Sequence, residues 1–311
     1  MPDSPDLPAG LRLLWTLTGH TSDIHRIAWS PVGDRLVSPS LDQSTRIWHE
    51  GQLIGTLQDS AAPAVAAAWS PDGEHLAHAA QNDVLRLWNV AQGKSERTRT
   101  GGLGTITCLQ WSPDGRHVAS GSINGAVRLW DREFKSFREL VKKSEDRVFC
   151  LAFAKTSPLL AAGFSSGRIR VWNLADDAEL APLEDHRDGV FSLVFSPKSN
   201  RLASAGADSL IRFWDPVESR CMARLQGHTG TVHSVSLSFN DRLLASKAGD
   251  GTVRLWSTEI EEEVTSLPEF PGKTWLSGIA FHPTRPMLAT LGDAVRVIRV
   301  WAVDESELLG D

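Results

Sequence analysis

The chain has 311 residues and a formal net charge of −6, from 32 Lys plus Arg against 38 Asp plus Glu. It therefore lacks an overall basic field that would hold a nucleic-acid backbone. Its composition, 41% hydrophobic and 23% charged with 25 glycines, is globular and neither collagen-like nor disordered, and no run approaches the roughly 18 apolar residues that span a bilayer. Three cysteines, and a start MPDSPDLPAG without the basic opening and apolar run of a secretion signal, lead to the expectation of a reduced, cytoplasmic chain.

In chain order, residues 1–10 read as a disordered or linker segment, residues 11–303 as one domain, and residues 304–311 as an acidic tail. A first strand lies around Leu14–Leu17. Seven units follow, and in each a short apolar strand comes first (IHRIAW, VAAAW, ITCLQW, VFCLAF, VFSLVF, VHSVSL, LSGIAF). Next comes a turn such as SPVG, SPDG or SPKSN, in which Pro and Gly supply the backbone angles. A second strand (RLVSPS, HLAHAA, HVASGS, LLAAGF, RLASAG, LLASKA) leads to an alternating third, such as STRIWHE or LIRFWDP, whose two faces differ in polarity. The tryptophans of these third strands, Trp48, Trp88, Trp130, Trp172, Trp214, Trp256 and Trp301, are spaced 40, 42, 42, 42, 42 and 45 residues apart. Each unit alone leaves an apolar face exposed, and stacking about four to eight such four-stranded units around an axis buries it.

An arginine stands two residues before every one of these tryptophans (Arg46, Arg86, Arg128, Arg170, Arg212, Arg254, Arg299). The expectation is an aliphatic stem over apolar strand surface, with the head at water or a neighbouring carboxylate. After Trp301 only ten residues remain, too few for the fourth strand, while Leu14–His20 matches Met222–His228 in pattern. The N-terminal strand is therefore expected to complete the last blade.

His20, His186 and His228 each precede a repeat tryptophan by 28 residues, Gly19 and Gly227 precede two of them, and Trp130-Asp131 and Trp214-Asp215 close their units. In these features the chain resembles the WD-repeat β-propeller family, whose repeat runs roughly 40 to 45 residues from a Gly-His opening to a Trp-Asp close. The resemblance implies an all-β, seven-bladed propeller of four-stranded antiparallel blades. It also implies a structural hydrogen-bond network wherever His, Ser, Asp and Trp recur together: His20, Ser38, Asp42, Trp48; His186, Ser204, Asp208, Trp214; and His228, Ser246, Asp250, Trp256. Three copies argue against a hydrolase triad, because an enzyme needs one preorganised site. The other units depart from the pattern, with Ser60, Gly102, Ser144 and Gly272 at the histidine position and His78 and Ala162 at the serine. Asn82, Asn124 and Ser166 replace the aspartate, and Thr290 and Asp293 are the candidates in the seventh unit. Blades 2, 3, 4 and 7 are accordingly the expected sites of local opening, and blades 5 and 6 the rigid half.

The residues show no converging metal ligands, no phosphate-binding loop and no dinucleotide fingerprint, so no cofactor or metal is expected. Cys108 and Cys150 share one first-strand position, as small buried side chains. The run Glu259–Glu263 reads as a solvated loop or a docking patch for a basic partner. The resemblance implies partner binding on the channel rim, where the loops into the first strand meet the turns before the third. Counting from the histidine position, residues three on (Asp23, Pro63, Thr105, Arg147, Gly189, Thr231, Trp275) and five on (His25, Val65, Thr107, Phe149, Phe191, His233, Ser277) should face it, with Leu41, Gln81, Ile123 and Ser165 nearby. The candidate partner-binding residues are His25, Leu41, Ile123, Arg147, Phe149, Phe191, His233 and Trp275, because Trp, Phe and Arg dominate interface energies. A competing reading turns Phe149 and Phe191 inward as core. The expected function is a non-catalytic scaffold, monomeric, with a protein or peptide partner and neither nucleic acid nor membrane. The alternatives are a sensor or autoinhibitory portion of a larger signalling protein and, in another class, an enzyme with a site in the channel.

Overall fold

The computed structural model describes residues 7–33, 35–58, 62–102, 104–269, 278–292 and 296–310. Strands of two to seven residues pair into seven sheets of four strands each, giving a seven-bladed β-propeller. Blade 1 holds Ala28–Trp29, Arg35–Pro39, Thr45–His49 and Gln52–Leu57 from the axis outward. The last blade holds Ile279–Phe281, Met287–Leu291 and Ile298–Val303, and its outer strand is the N-terminal Leu11–Leu17, paired antiparallel from Leu11↔Val303 to Leu17↔Ile298. Closure by the first strand, as expected, leaves the Ile298–Val303 edge covered and the sheet without an open seam.

The core is a series of apolar layers between neighbouring blades, which is why one blade cannot stand alone. Leu129 and Val127 of blade 3 pack with Leu160, Phe164 and Trp172 of blade 4. At the closing seam Leu36 and Trp48 pack with Leu291, Ile298 and Val300. Close approach between blades also demands glycine. Gly167 takes φ +87, and a Cβ there would sit 2.6 Å from the His186 carbonyl of the next blade's loop, where an L side chain is strained as well as blocked.

The stretch after the last strand, expected only as an acidic tail, forms a short helix, Glu305–Leu309. Asp304 caps it by accepting from the Glu307 N–H, and Gly310 closes it at φ 74. Leu308 and Leu309 lie against the apolar layer of blades 6 and 7. Capping at both ends and one apolar pair are sufficient signals for this helix. The Glu259–Glu263 run is a turn leading into the outer strand of blade 6, with Arg201 on Glu261 at 2.5 Å and Arg254 on Glu263 at 2.6 Å.

Candidate interaction face and the networks that support it

The rim is made by a repeated irregularity. In the inner strands of blades 2 to 6 the pairing register shifts around one residue, between Ala64 and Ala66, Ile106 and Cys108, Val148 and Cys150, Val190 and Ser192, and Val232 and Ser234. The residues skipped are Val65, Thr107, Phe149, Phe191 and His233. A bulge of this kind frees one residue from the ladder and re-aims its side chain. In blades 1 to 6 the turn before the third strand is tied to the loop entering the first. The N–H groups of Leu41, Gln81, Ile123, Ser165, Ala207 and Gly249 donate to the carbonyls of Asp23, Pro63, Thr105, Arg147, Gly189 and Thr231 at 2.8 to 3.0 Å. Both sets of rim positions are thus joined in each of these blades.

Three bulge residues form a continuous strip. The Phe149 and Phe191 rings stack at 4.9 Å with 14° between planes, and His233 meets Phe191 edge-on at 5.8 Å. All three are half-buried and Arg147 beside them is exposed. The competing view of these rings as core is met only halfway, since one part of each is packed and the rest reaches solvent. Burial, assisted by Lys247, lowers the His233 pKa, and burial takes His25 to about 4, so both are neutral at pH 7 and the strip is uncharged. Ile123 is exposed, and Leu41 and His25 are half-buried. Val65 turns into the blade core, and the Thr107 hydroxyl donates to the Val148 carbonyl at 2.5 Å, with the Gly121 carbonyl at 3.1 Å as its second, alternative acceptor. Trp275 and Ser277 lie outside the described residues.

One residue at this level has no signal in the repeat. The Arg26 guanidinium donates to the Phe149 carbonyl at 2.6 Å, from blade 1 to blade 4. It is a strut across the channel below the rim.

The three His-Ser-Asp-Trp sets are closed chains of hydrogen bonds. His20 Nδ1 meets Asp42 at 2.7 Å and Nε2 meets Ser38 Oγ at 2.8 Å, while Trp48 Nε1 donates to the same Ser38 Oγ at 2.8 Å. His186, Ser204, Asp208 and Trp214 repeat this, as do His228, Ser246, Asp250 and Trp256. Burial lowers the pKa of all three histidines. Each neutral ring then donates Nδ1–H to the aspartate and accepts the serine proton, leaving Oγ to accept from the indole. Burial works against ionising Asp42 and Asp250, yet hydrogen bonds from Ser44 and His20, and from His228 and Thr252, hold them at about 2. The serines Ser38, Ser204 and Ser246 are fully buried, so no substrate carbonyl reaches them. In blade 5 Arg212 joins in, donating to Asp208 at 2.8 Å and Asp185 at 2.6 Å.

Substituted blades satisfy themselves differently. Blade 3 keeps the Trp130-to-Ser120 bond at 2.8 Å. In blade 4, Asp146 ties loop to turn by accepting from Ser165 Oγ, Ser166 N and Ser166 Oγ at 3.0, 2.9 and 2.7 Å. In blade 2, His78 fills the serine position, fully buried and taken by desolvation to about 4, and the Trp88 indole N–H has no acceptor among the described residues. In blade 7, Trp301 donates to Thr290 at 3.1 Å and Thr290 to Glu269 at 2.7 Å. Lys247, reaching over from blade 6, holds Glu269 at 2.5 Å and bonds the Leu291 carbonyl. Glu269 stands where the expectation placed Gly272; Asp293, like Gly272 and Ser60, lies outside the described residues.

The family model for the WD domain, G-beta repeat, matches residues 11–49, 51–89, 93–131, 135–173, 178–215 and 219–257, and the chain belongs to this family. Each matched stretch begins on an outer strand or within two residues before it and ends on the third strand of the next blade, so the sequence repeat and the blade are out of phase by one strand. No curated protein matches the chain.

Proposed function

We propose that this propeller is a non-catalytic interaction platform that holds a peptide segment or protein surface on the channel rim at blades 4 to 6. The observation that carries this reading is the stacked, half-exposed strip of Phe149, Phe191 and His233 with the exposed Arg147 beside it. Aromatic faces on a preformed ledge supply apolar area at small entropic cost, and an arginine at the edge pairs with a partner carboxylate. The reading includes a monomeric ring in the cytoplasm, with a protein partner and neither nucleic acid nor membrane. The negative net charge supports it, and no helix among the described residues is long and apolar enough to cross a membrane.

The test is capture from native lysate with the parent chain and the Phe149→Ala/Phe191→Ala variant side by side. Loss of a central aromatic anchor removes about 2 kcal/mol or more, roughly thirtyfold in affinity, so the variant should lose the main partner while its melting point moves little. A large loss of stability with capture retained would make the two rings core and move the binding face elsewhere.

A further inference from the structure

We propose that the opposite end of the channel is a second binding site, for a short acidic peptide that inserts one large apolar side chain. Six of the seven inner strands end there in an aromatic residue, Leu237 of blade 6 being the exception, and the turns that follow in blades 1, 2, 3, 5 and 7 open with proline. Trp29, Trp69, Trp111 and Phe153, with the prolines of the adjoining turns, enclose a cavity of about 510 Å³. That volume takes a large side chain and the backbone beside it. Bonds between blades fix the walls beforehand: Trp29 Nε1 donates to the Ala280 carbonyl at 3.0 Å and Trp69 Nε1 to the Ala28 carbonyl at 3.2 Å. Arg26, anchored to the Phe149 carbonyl, stands between this cavity and the rim, so the two mouths are separate places.

Charge chooses the occupant. Aromatic walls alone would suit a cation, but the one charged side chain among the described lining residues is Lys155, exposed at the mouth, and the exposed Gln110 amide is its polar companion. No carboxylate is among the described residues that line the cavity. The acids of the neighbouring turns are engaged locally, Asp72 by Arg132 at 3.1 Å and Asp114 by the Ser112 hydroxyl at 2.5 Å and Arg116 at 3.8 Å. A ligand ammonium would face Lys155 uncompensated. A carboxylate would pair with it while the adjoining apolar group fills the cavity.

The experiment uses the full chain and three peptides: acetyl-Glu-Phe-Glu-Leu-amide and its counterparts with Gln or Lys in place of both Glu. Binding is read by tryptophan fluorescence and by chemical shifts of the indole N–H groups. The acidic peptide should bind about tenfold or more tighter than the Gln peptide, a difference of about 1.4 kcal/mol, and the Lys peptide should bind weakest. Lys155→Gln should bring the acidic peptide down to the level of the Gln peptide, whereas Phe149→Ala/Phe191→Ala should leave all three unchanged. That last arm separates this site from the rim, so either can fail alone. Equal binding of the three peptides, an unaffected Lys155→Gln variant, or no binding of the acidic peptide at millimolar concentration overturns the proposal.

Discussion

Removing one partner of the Lys247–Glu269 pair should be among the most damaging single changes in the chain. The Lys247 side chain is 3% exposed and that of Glu269 1%, so neither charge keeps its hydration, and their 2.5 Å contact replaces it. Lys247→Met leaves Glu269 with one hydrogen bond from Thr290 and an ion pair with Arg299 at 3.7 Å, which compensates its charge only in part. Breaking a buried pair at one partner costs about 3 to 5 kcal/mol, and with Arg299 still paired to Glu269 the low end applies, about 5 °C in melting temperature for a chain of this length if the ring unfolds as one unit. Glu269→Gln should be milder, because the amide oxygen still accepts from Thr290 and Lys247 still has the Leu291 carbonyl. The double variant carries no buried charge at this place and should return to within about 1 to 2 kcal/mol of the parent, since replacing a whole buried pair is often near neutral. Thermal and urea melts of the four proteins close the cycle. If Lys247→Met melts like the parent, or if the double variant loses as much as the two singles together, the pair is not the coupled element described here.

Three further perturbations probe the supporting structure. Asp208→Ala leaves His186 Nδ1 buried beside Arg212 and should cost about 1 to 3 kcal/mol, whereas Ser166→Ala, at an exposed hydroxyl on Asp146, should stay within about 0.5 kcal/mol; urea midpoints decide. Deleting residues 1–18 uncovers the Ile298–Val303 edge and should lower the melting temperature and promote aggregation, and a truncated chain that melts as the parent and stays monodisperse refutes closure as a source of stability. Acidification should destabilise the ring first through histidine: His20, His78, His186 and His228 have folded pKa values below 6.5, so the unfolded chain binds protons first as pH falls below 6.5. For His78, at about 4, the loss accumulates between pH 6.5 and 4 to about 3 kcal/mol, and melts of His78→Gln should show a shallower pH slope there; an unchanged slope counts against it. Asp42 and Asp250, held at about 2, add their loss only below pH 3.8.

Much of the fold was legible because it is periodic. The tryptophan spacing fixed the number of blades, and the match of Leu14–His20 to Met222–His228 located the closing strand. The Phe149 and Phe191 pairing followed from their common register, 42 residues apart. What escaped has no repeat to reveal it. Glu269 lies 32 residues before Trp301, not 28, and the usual spacing with one extra residue allowed pointed to Gly272 instead. Its partner Lys247 belongs to another blade and carries no local mark of that role. Asp146 stands in for a missing histidine and aspartate from the opposite side of the contact. Arg26 reaches a carbonyl 123 positions away, a contact that only ring closure creates.

The bulge explains how a repetitive scaffold acquires a distinctive face. A residue in the regular ladder must suit its pleat and its neighbours, but the residue at the bulge is excused from pairing, and here it is Val65, Thr107, Phe149, Phe191 or His233 in successive blades. Identity can therefore change at that place without disturbing the strand pairs on either side. The buried networks sit further out in each blade, on the second and third strands and their turn, and hold the loops that carry the bulge in position. If the proposed rim face is the one that binds, stability and recognition draw on different residues of one repeat, and a rim substitution should alter binding at nearly constant melting temperature while a network substitution does the reverse.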